Sequence, residues 1–131
     1  MTKKNVLLVE DEYVFNYLTT TIINKMGFAE DIRIALNGRD ALELILTSLR
    51  EHTPMPDLIL LDLNMPIMTG FEFLREYEKM NFEGKDKIHI AIVTSSTDLE
   101  DIKTAQELGV RHYLNKPISE EAIYKLISQE W

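Results

Sequence analysis

The chain has 131 residues, 45% hydrophobic and 8% aromatic, which suits one folded domain with a complete core. Its 14 Lys and Arg against 22 Asp and Glu give a net charge of −8, which argues against a broad nucleic-acid-binding surface. Zero cysteines exclude a disulfide framework and thiolate metal sites, and no apolar stretch approaches the roughly 20 residues of a membrane span.

The amino-terminal Met1-Thr2-Lys3-Lys4-Asn5-Val6 passes from a short basic lead into a strand-like run, and its apolar part is too short for a signal sequence. A cytoplasmic protein is therefore expected. Strand-like Asn5 to Val9 comes first. Phe15, Leu18, Ile22 and Met26 then recur at helical spacing, with Gly27 as the stop signal. Ile32 to Leu36 is a weaker second strand. Asn37-Gly38 introduces Ala41, Leu42, Ile45, Leu46 and Leu49, an apolar stripe of period near 3.6. Pro54-Met55-Pro56 prevents that helix from continuing, because proline lacks the N–H and clashes with the preceding turn.

Asp57 to Leu61 predicts a third strand, and its Leu58-Ile59-Leu60-Leu61 run reads as buried on both faces, the mark of a parallel sheet covered by helices. After Gly70, Phe71, Leu74 and Tyr77 mark a third helix running to about Met80. Residues 81–87 form a polar loop, and 88–93 a fourth strand. Thr97 or Asp98 caps a fourth helix carrying Leu99, Ile102 and Ala105, stopped at Gly109. Val110 to Leu114 is the fifth strand. Ser119-Glu120-Glu121 then opens a last helix that buries Ile123, Leu126 and Ile127. Alternating strands and helices with short connections imply a doubly wound parallel α/β sheet with right-handed crossovers. Periodicity does not give the strand order.

The strand ends carry chemistry. Glu10-Asp11, Asp62, Thr94-Ser95 and Lys116 each follow or close an apolar run, and ligands of open α/β sheets bind at the carboxyl ends of strands. If Glu10-Asp11 and Asp62 share a site, strands one and three are neighbours and the site lies where the strand order reverses. A carboxylate can attack phosphorus to form an aspartyl phosphate. Charge repulsion opposes its approach to an anionic donor, so a divalent cation is required, and Mg²⁺ favours one or two carboxylates plus phosphate oxygens. Glu10, Asp11 and Asp62 can supply them. Lys116 suits a charge-assisted bond to a phosphoryl oxygen, and the Thr94 hydroxyl suits another.

Val9-Glu10-Asp11-Glu12, Leu61-Asp62-Leu63-Asn64-Met65-Pro66 with Gly70, Val93-Thr94-Ser95-Ser96 and Tyr113-Leu114-Asn115-Lys116-Pro117 together resemble the receiver (response-regulator) domain of two-component signalling, over nearly the whole chain, residues 1–131. The resemblance implies a flavodoxin-like (βα)5 fold with strand order 2-1-3-4-5. It implies that Asp62 is the phosphoacceptor, that Asp11 and Asp62 bind Mg²⁺ directly, that Glu10 acts through water and that the backbone carbonyl of Asn64 is a further ligand. Glu10 stands where many relatives have Asp and lengthens that arm by one methylene. The resemblance also implies a cis Lys116–Pro117 bond. Its implied donor is a phosphohistidine on a sensor histidine kinase or phosphotransfer protein, with small phosphodonors as substitutes. Thr94 and Tyr113 are the implied switch pair, and helix four, strand five and helix five (about Leu99 to Ile127) the implied face for a protein target or homodimer. Asn64 and Ser96 occupy positions where relatives tune dephosphorylation. No direct nucleic-acid or membrane contact is expected.

Each residue alone has an ordinary reading: Asp11 as a helix cap, Asp62 as a turn residue, Thr94 as a strand residue, Lys116 as surface charge. His52, His89 and His112 lack metal-ligand spacing, Asn16 is expected to face solvent or cap locally, and Met65 and Met68 to pack in loops. Two other functions fit parts of the pattern. A phosphohydrolase with an aspartate nucleophile normally has a second acid two residues on, where this chain has Asn64. A degenerate receiver that only binds partners would not need Asp62, Thr94 and Lys116 together. The sequence ends at Trp131, about one residue past the expected last helix, which suggests a stand-alone receiver or an excised domain.

Overall fold

A computed structural model describes residues 3–128. Five strands, β1 (Lys4–Val9), β2 (Ala29–Ala35), β3 (Leu58–Leu61), β4 (His89–Thr94) and β5 (His112–Asn115), form one parallel sheet in the order β2-β1-β3-β4-β5. Each strand leads to a helix: α1 (Tyr13–Met26), α2 (Gly38–Glu51), α3 (Gly70–Glu78), α4 (Leu99–Glu107) and α5 (Glu120–Ile127). The expected fold class and strand order are those observed.

Strand pleating sorts the core. Leu7, Val9, Ile59, Leu61 and Ile92 point to one face and meet Ala41 and Ile45 of α2, Phe73, Leu74 and Tyr77 of α3, and Ala105 of α4. Val6, Leu8, Leu58, Leu60, Ala91 and Val93 point to the other and meet Ile23 of α1 and Ile123 and Leu126 of α5. All four residues of β3 are buried, as a central parallel strand requires.

Local chemistry sets the helix ends. Gly27 closes α1 at φ 73, and the Asn37 side chain starts α2 by accepting from the Asp40 N–H at 2.9 Å. Thr69 and Glu72 form a reciprocal capping box at α3. Asp98, rather than Thr97, caps α4, and Ser119 caps α5. The Lys116–Pro117 bond is cis, as expected.

Some expectations need correction. β2 begins at Ala29 and ends at Ala35, because its pairing with β1 runs from Lys4↔Ala29 to Val9↔Ala35; Leu36 lies beyond it, exposed. β5 is shifted to His112–Asn115, and Val110 packs into the core from the preceding turn. Leu18, Leu46 and Leu99 are exposed rather than packed. Phe73, absent from the expected α3 stripe, is fully buried. Asn16 does not face solvent: it is 4% exposed, and Thr19 beside it is fully buried. The expected relation between the last helix and Trp131 lies outside the described residues.

Candidate functional site

Glu10, Asp62 and Lys116 stand one residue past the ends of their strands, yet the sheet still holds their backbones. The Glu10 N–H donates to Ala35 O, that of Asp62 to Val9 O and that of Lys116 to Thr94 O, each at 2.9 Å. Thr94 is the last residue of β4 and is fully buried. The side chains therefore project at the carboxyl edge of β1, β3, β4 and β5. β1 lies between β2 and β3 there, so the strand order reverses at this point.

Glu10, Asp11 and Asp62 each place a carboxylate oxygen within 4.8 Å of the others. Glu10 and Asp62 are 2% and 5% exposed, while Asp11 is open to solvent. The Lys116 ammonium joins them. It is paired with Glu10 Oε1, lies 2.9 Å from Glu12 Oε1 and 3.7 Å from Asp62 Oδ1, and sits 4.4 Å from the centre of the Phe15 ring.

Burial is the strongest influence on both buried acids. It pushes the Glu10 carboxyl up to about 7, against the opposing pull of Lys116 and the Glu12 N–H. Asp62 is likewise raised by burial, although Lys116 and the Leu63 and Asn64 N–H groups act the other way. For Lys116, burial favours the neutral amine, but bonds to Glu10 and Glu12 and the Asp62 charge outweigh it and raise its pKa. The cluster thus holds more negative charge than one lysine balances, an arrangement that accommodates a further cation.

The turn after β3 is shaped by close contact. The Gly70 N–H donates to Leu63 O at 3.0 Å, and any Cβ on Gly70 would press into the Asp62 carbonyl oxygen and Leu63 Cα. Glycine is required there by space rather than by φ. Asn64, two residues past Asp62, is exposed at the mouth of this turn.

Behind Thr94 the loop is organised around Ser96. The Thr94 hydroxyl accepts from the Ser96 N–H at 3.3 Å. The Ser96 carbonyl accepts from the Tyr113 hydroxyl at 3.2 Å and from Asn115 Nδ2 at 3.0 Å, while Ser96 Oγ donates to Asp101 at 2.7 Å. Tyr113 is half-buried and joined to the Thr94 loop rather than to the carboxylates.

Two neighbours escaped sequence reading. Asn16 Nδ2 donates to the Glu10 carbonyl oxygen at 2.9 Å and so braces the turn carrying both Glu10 and Asp11. No local pattern marks it, because α1 carries apolar residues on several sides while Asn16 faces inward. Glu12 was visible only as the third acid of a run. His89 and His112 border a separate groove of about 680 Å³ at the amino ends of β4 and β5, with Tyr77 and Arg111.

The sequence pattern of the response regulator receiver domain matches residues 6–128. Sporulation initiation phosphotransferase F of Bacillus subtilis is 29% identical over 94% of this chain and 90% of that protein. A two-component response regulator from Cytophaga hutchinsonii has a similar structure, with a TM-score of 0.86, 29% identity and coverage of 97% and 96% of the two chains. The Mn²⁺-bound form of response regulator Rcp1 superposes with a TM-score of 0.74 at 29% identity, covering 95% of this chain and 88% of the other. The chain spans 90% of the Bacillus relative but 7% of another, a hybrid histidine kinase of Dictyostelium discoideum. Sequence, fold and site geometry agree: this chain belongs to the response regulator receiver domain family, the receiving module of two-component phosphorelay signalling.

Proposed function

We propose that Asp62 is the phosphoacceptor of this receiver, loaded in a Mg²⁺-dependent reaction by a phosphohistidine of a sensor histidine kinase or phosphotransfer protein. The observation that carries this reading is the buried Asp62 carboxylate, grouped with Glu10 and Asp11 and faced by Lys116. The hard oxygen ligands and surplus negative charge fit Mg²⁺. Asp11 and Asp62 would hold it, with Glu10 acting through water and the Asn64 carbonyl as a further ligand. When bound, the ion neutralises charge between the acidic cluster and an incoming phosphoryl group.

An Asp62 oxygen attacks phosphorus as the bond from phosphorus to the donor nitrogen breaks, and the bonding electrons stay with the imidazole. With acetyl phosphate the P–O bond breaks instead, and acetate leaves. Lys116 contributes an ammonium to a phosphoryl oxygen, and the Thr94 hydroxyl contributes a second donor. Thr94 and Tyr113 are then the switch pair, linked through the Ser96 loop, and the α4–β5–α5 face carries the readout to a protein target or a second copy. The unit acts as a signalling domain that assists its own phosphorylation and dephosphorylation, with residues 1–131 forming one receiver at work in the cytoplasm.

Intact mass after incubation with Mg²⁺ and acetyl phosphate, and in parallel with a phosphorylated histidine donor, tests this. One labile phosphate is expected on the wild type and none on Asp62→Asn. An unmodified wild type with both donors, or phosphate persisting in Asp62→Asn, overturns the assignment. Multiple turnover on phosphate esters would support a hydrolase instead.

A further inference from the structure

The Glu12 side chain has no structural task in its own helix. Glu12 is the N-cap residue of α1, in extended conformation (φ −81, ψ 113), and its side chain makes no capping bond. Instead its carboxylate, 64% exposed, reaches across to Lys116 and accepts a hydrogen bond at 2.9 Å. Glu12 is not among the three acids that converge within 4.8 Å.

From this placement we infer that Glu12 is an internal competitor for Lys116 that slows phosphorylation of Asp62 and discriminates against small free phosphodonors. The inference rests on the phosphoacceptor reading above. Lys116 faces three carboxylates, Glu10, Glu12 and Asp62. A cation held by Asp11 and Asp62, with Glu10 acting through water, would neutralise two of these rivals, Glu10 and Asp62, but leave Glu12 in place. A phosphoryl oxygen must then displace Glu12, or share the ammonium with it, before Lys116 can serve the transferring group. A small anionic donor meets the Glu12 charge unassisted. A donor protein that presents a Lys or Arg to this exposed carboxylate draws it away and frees Lys116. Glu12 is thus a positioning residue that acts through Lys116, not a catalytic one.

Initial rates of Asp62 phosphorylation by acetyl phosphate with Mg²⁺ test the inference, read by intact mass. Glu12→Ala is expected to react about 2- to 5-fold faster than wild type, the scale set by one solvent-exposed ion pair, with Glu12→Gln between them. In a Lys116→Met background the same Glu12→Ala change is expected to have no effect. Equal rates in wild type and Glu12→Ala overturn the inference. So does equal acceleration with and without Lys116, which would mean a general field effect.

The ¹⁵N-ammonium NMR signal of Lys116 in the unphosphorylated protein reads the pairing independently of any phosphate transfer. It is expected to shift in Glu12→Ala and stay in place in Glu76→Ala, whose carboxylate pairs with Lys79 just past the end of α3. An unmoved signal in Glu12→Ala overturns the competition. Failure of the wild type to take phosphate, with this signal still shifting, would count against the phosphoacceptor reading and leave the Glu12–Lys116 pairing standing.

Discussion

Gly70 lies directly against the backbone of Asp62, with no room between the Gly70 Cα hydrogens and the Asp62 carbonyl for even a methyl group. The first residue of α3 thereby acts as a backstop for the turn that carries the proposed phosphoacceptor. Gly70→Ala forces backbone against backbone, which no side-chain rotation relieves. A loss of about 2–3 kcal/mol in urea unfolding is expected, together with slower phosphate uptake. Unchanged stability would mean that the turn yields without strain.

Lys116 holds two buried acids together, so its removal strands them. Lys116→Met is expected to cost about 2–4 kcal/mol at pH 8, with a smaller cost at pH 5, where the acids can take up protons instead. Paired urea titrations at the two pH values check both the size and the direction.

The raised Glu10 pKa gives the metal-free protein an unusual pH dependence. A carboxyl held above its unfolded value binds its proton more tightly in the folded state. Its relative contribution is fully present below about pH 4.5 and is lost as pH rises through about 7. In chelator, the stability attributable to this group is expected to fall by up to about 3 kcal/mol between these limits, at about 1.4 kcal/mol per pH unit. Mg²⁺ should cancel the decline by favouring the ionised cluster, so its effect on melting temperature should be larger at pH 8 than at pH 5. A calorimetric series with and without Mg²⁺ checks this; identical pH profiles would argue against the metal site.

Asn16 supplies the donor for the Glu10 carbonyl, which lies in a region closed to water. Asn16→Ala should cost about 1–3 kcal/mol and weaken Mg²⁺ binding by loosening the turn between Glu10 and Asp11. Mg²⁺ titration by calorimetry reads the second effect separately from the first.

The gathering of Glu10, Asp11, Asp62 and Lys116 was legible because strand ends are: an all-apolar run such as Leu58–Leu61 has one plausible environment, and the polar residue that ends it is conspicuous. The Ser119 cap was legible because its bond to the Ala122 N–H acts within three residues, whereas the Asn37 cap of α2 was not read from the sequence. Helix faces were harder. In α1 Tyr13, Val14, Tyr17 and Leu18 are apolar yet exposed, while Asn16 and Thr19 are inside. A helix with apolar residues on several sides does not announce which side meets the sheet; tertiary packing decides. The partnership of Glu12 with Lys116 spans 104 residues of sequence and depends on β1 and β5 being held in one sheet, so no local pattern contains it.

The ladder bonds that pin Glu10, Asp62 and Lys116 make the sheet a ruler for the site. Because each strand advances about 3.3 Å per residue and alternates faces, deleting one residue from β1, β3 or β5 would turn a side chain of the candidate site toward the opposite face. Length changes are therefore intolerable in these strands, even at residues that touch no ligand. Segment 81–87 at the other end of the sheet follows no such register, yet Phe82 packs edge-on to Tyr77 and Lys85 Nζ donates to the Tyr77 and Glu78 carbonyl oxygens. Evolutionary freedom in this molecule should be polarised along the strands, fixed in count at the carboxyl edge and wide in residue type at the exposed positions 81, 83, 86 and 87.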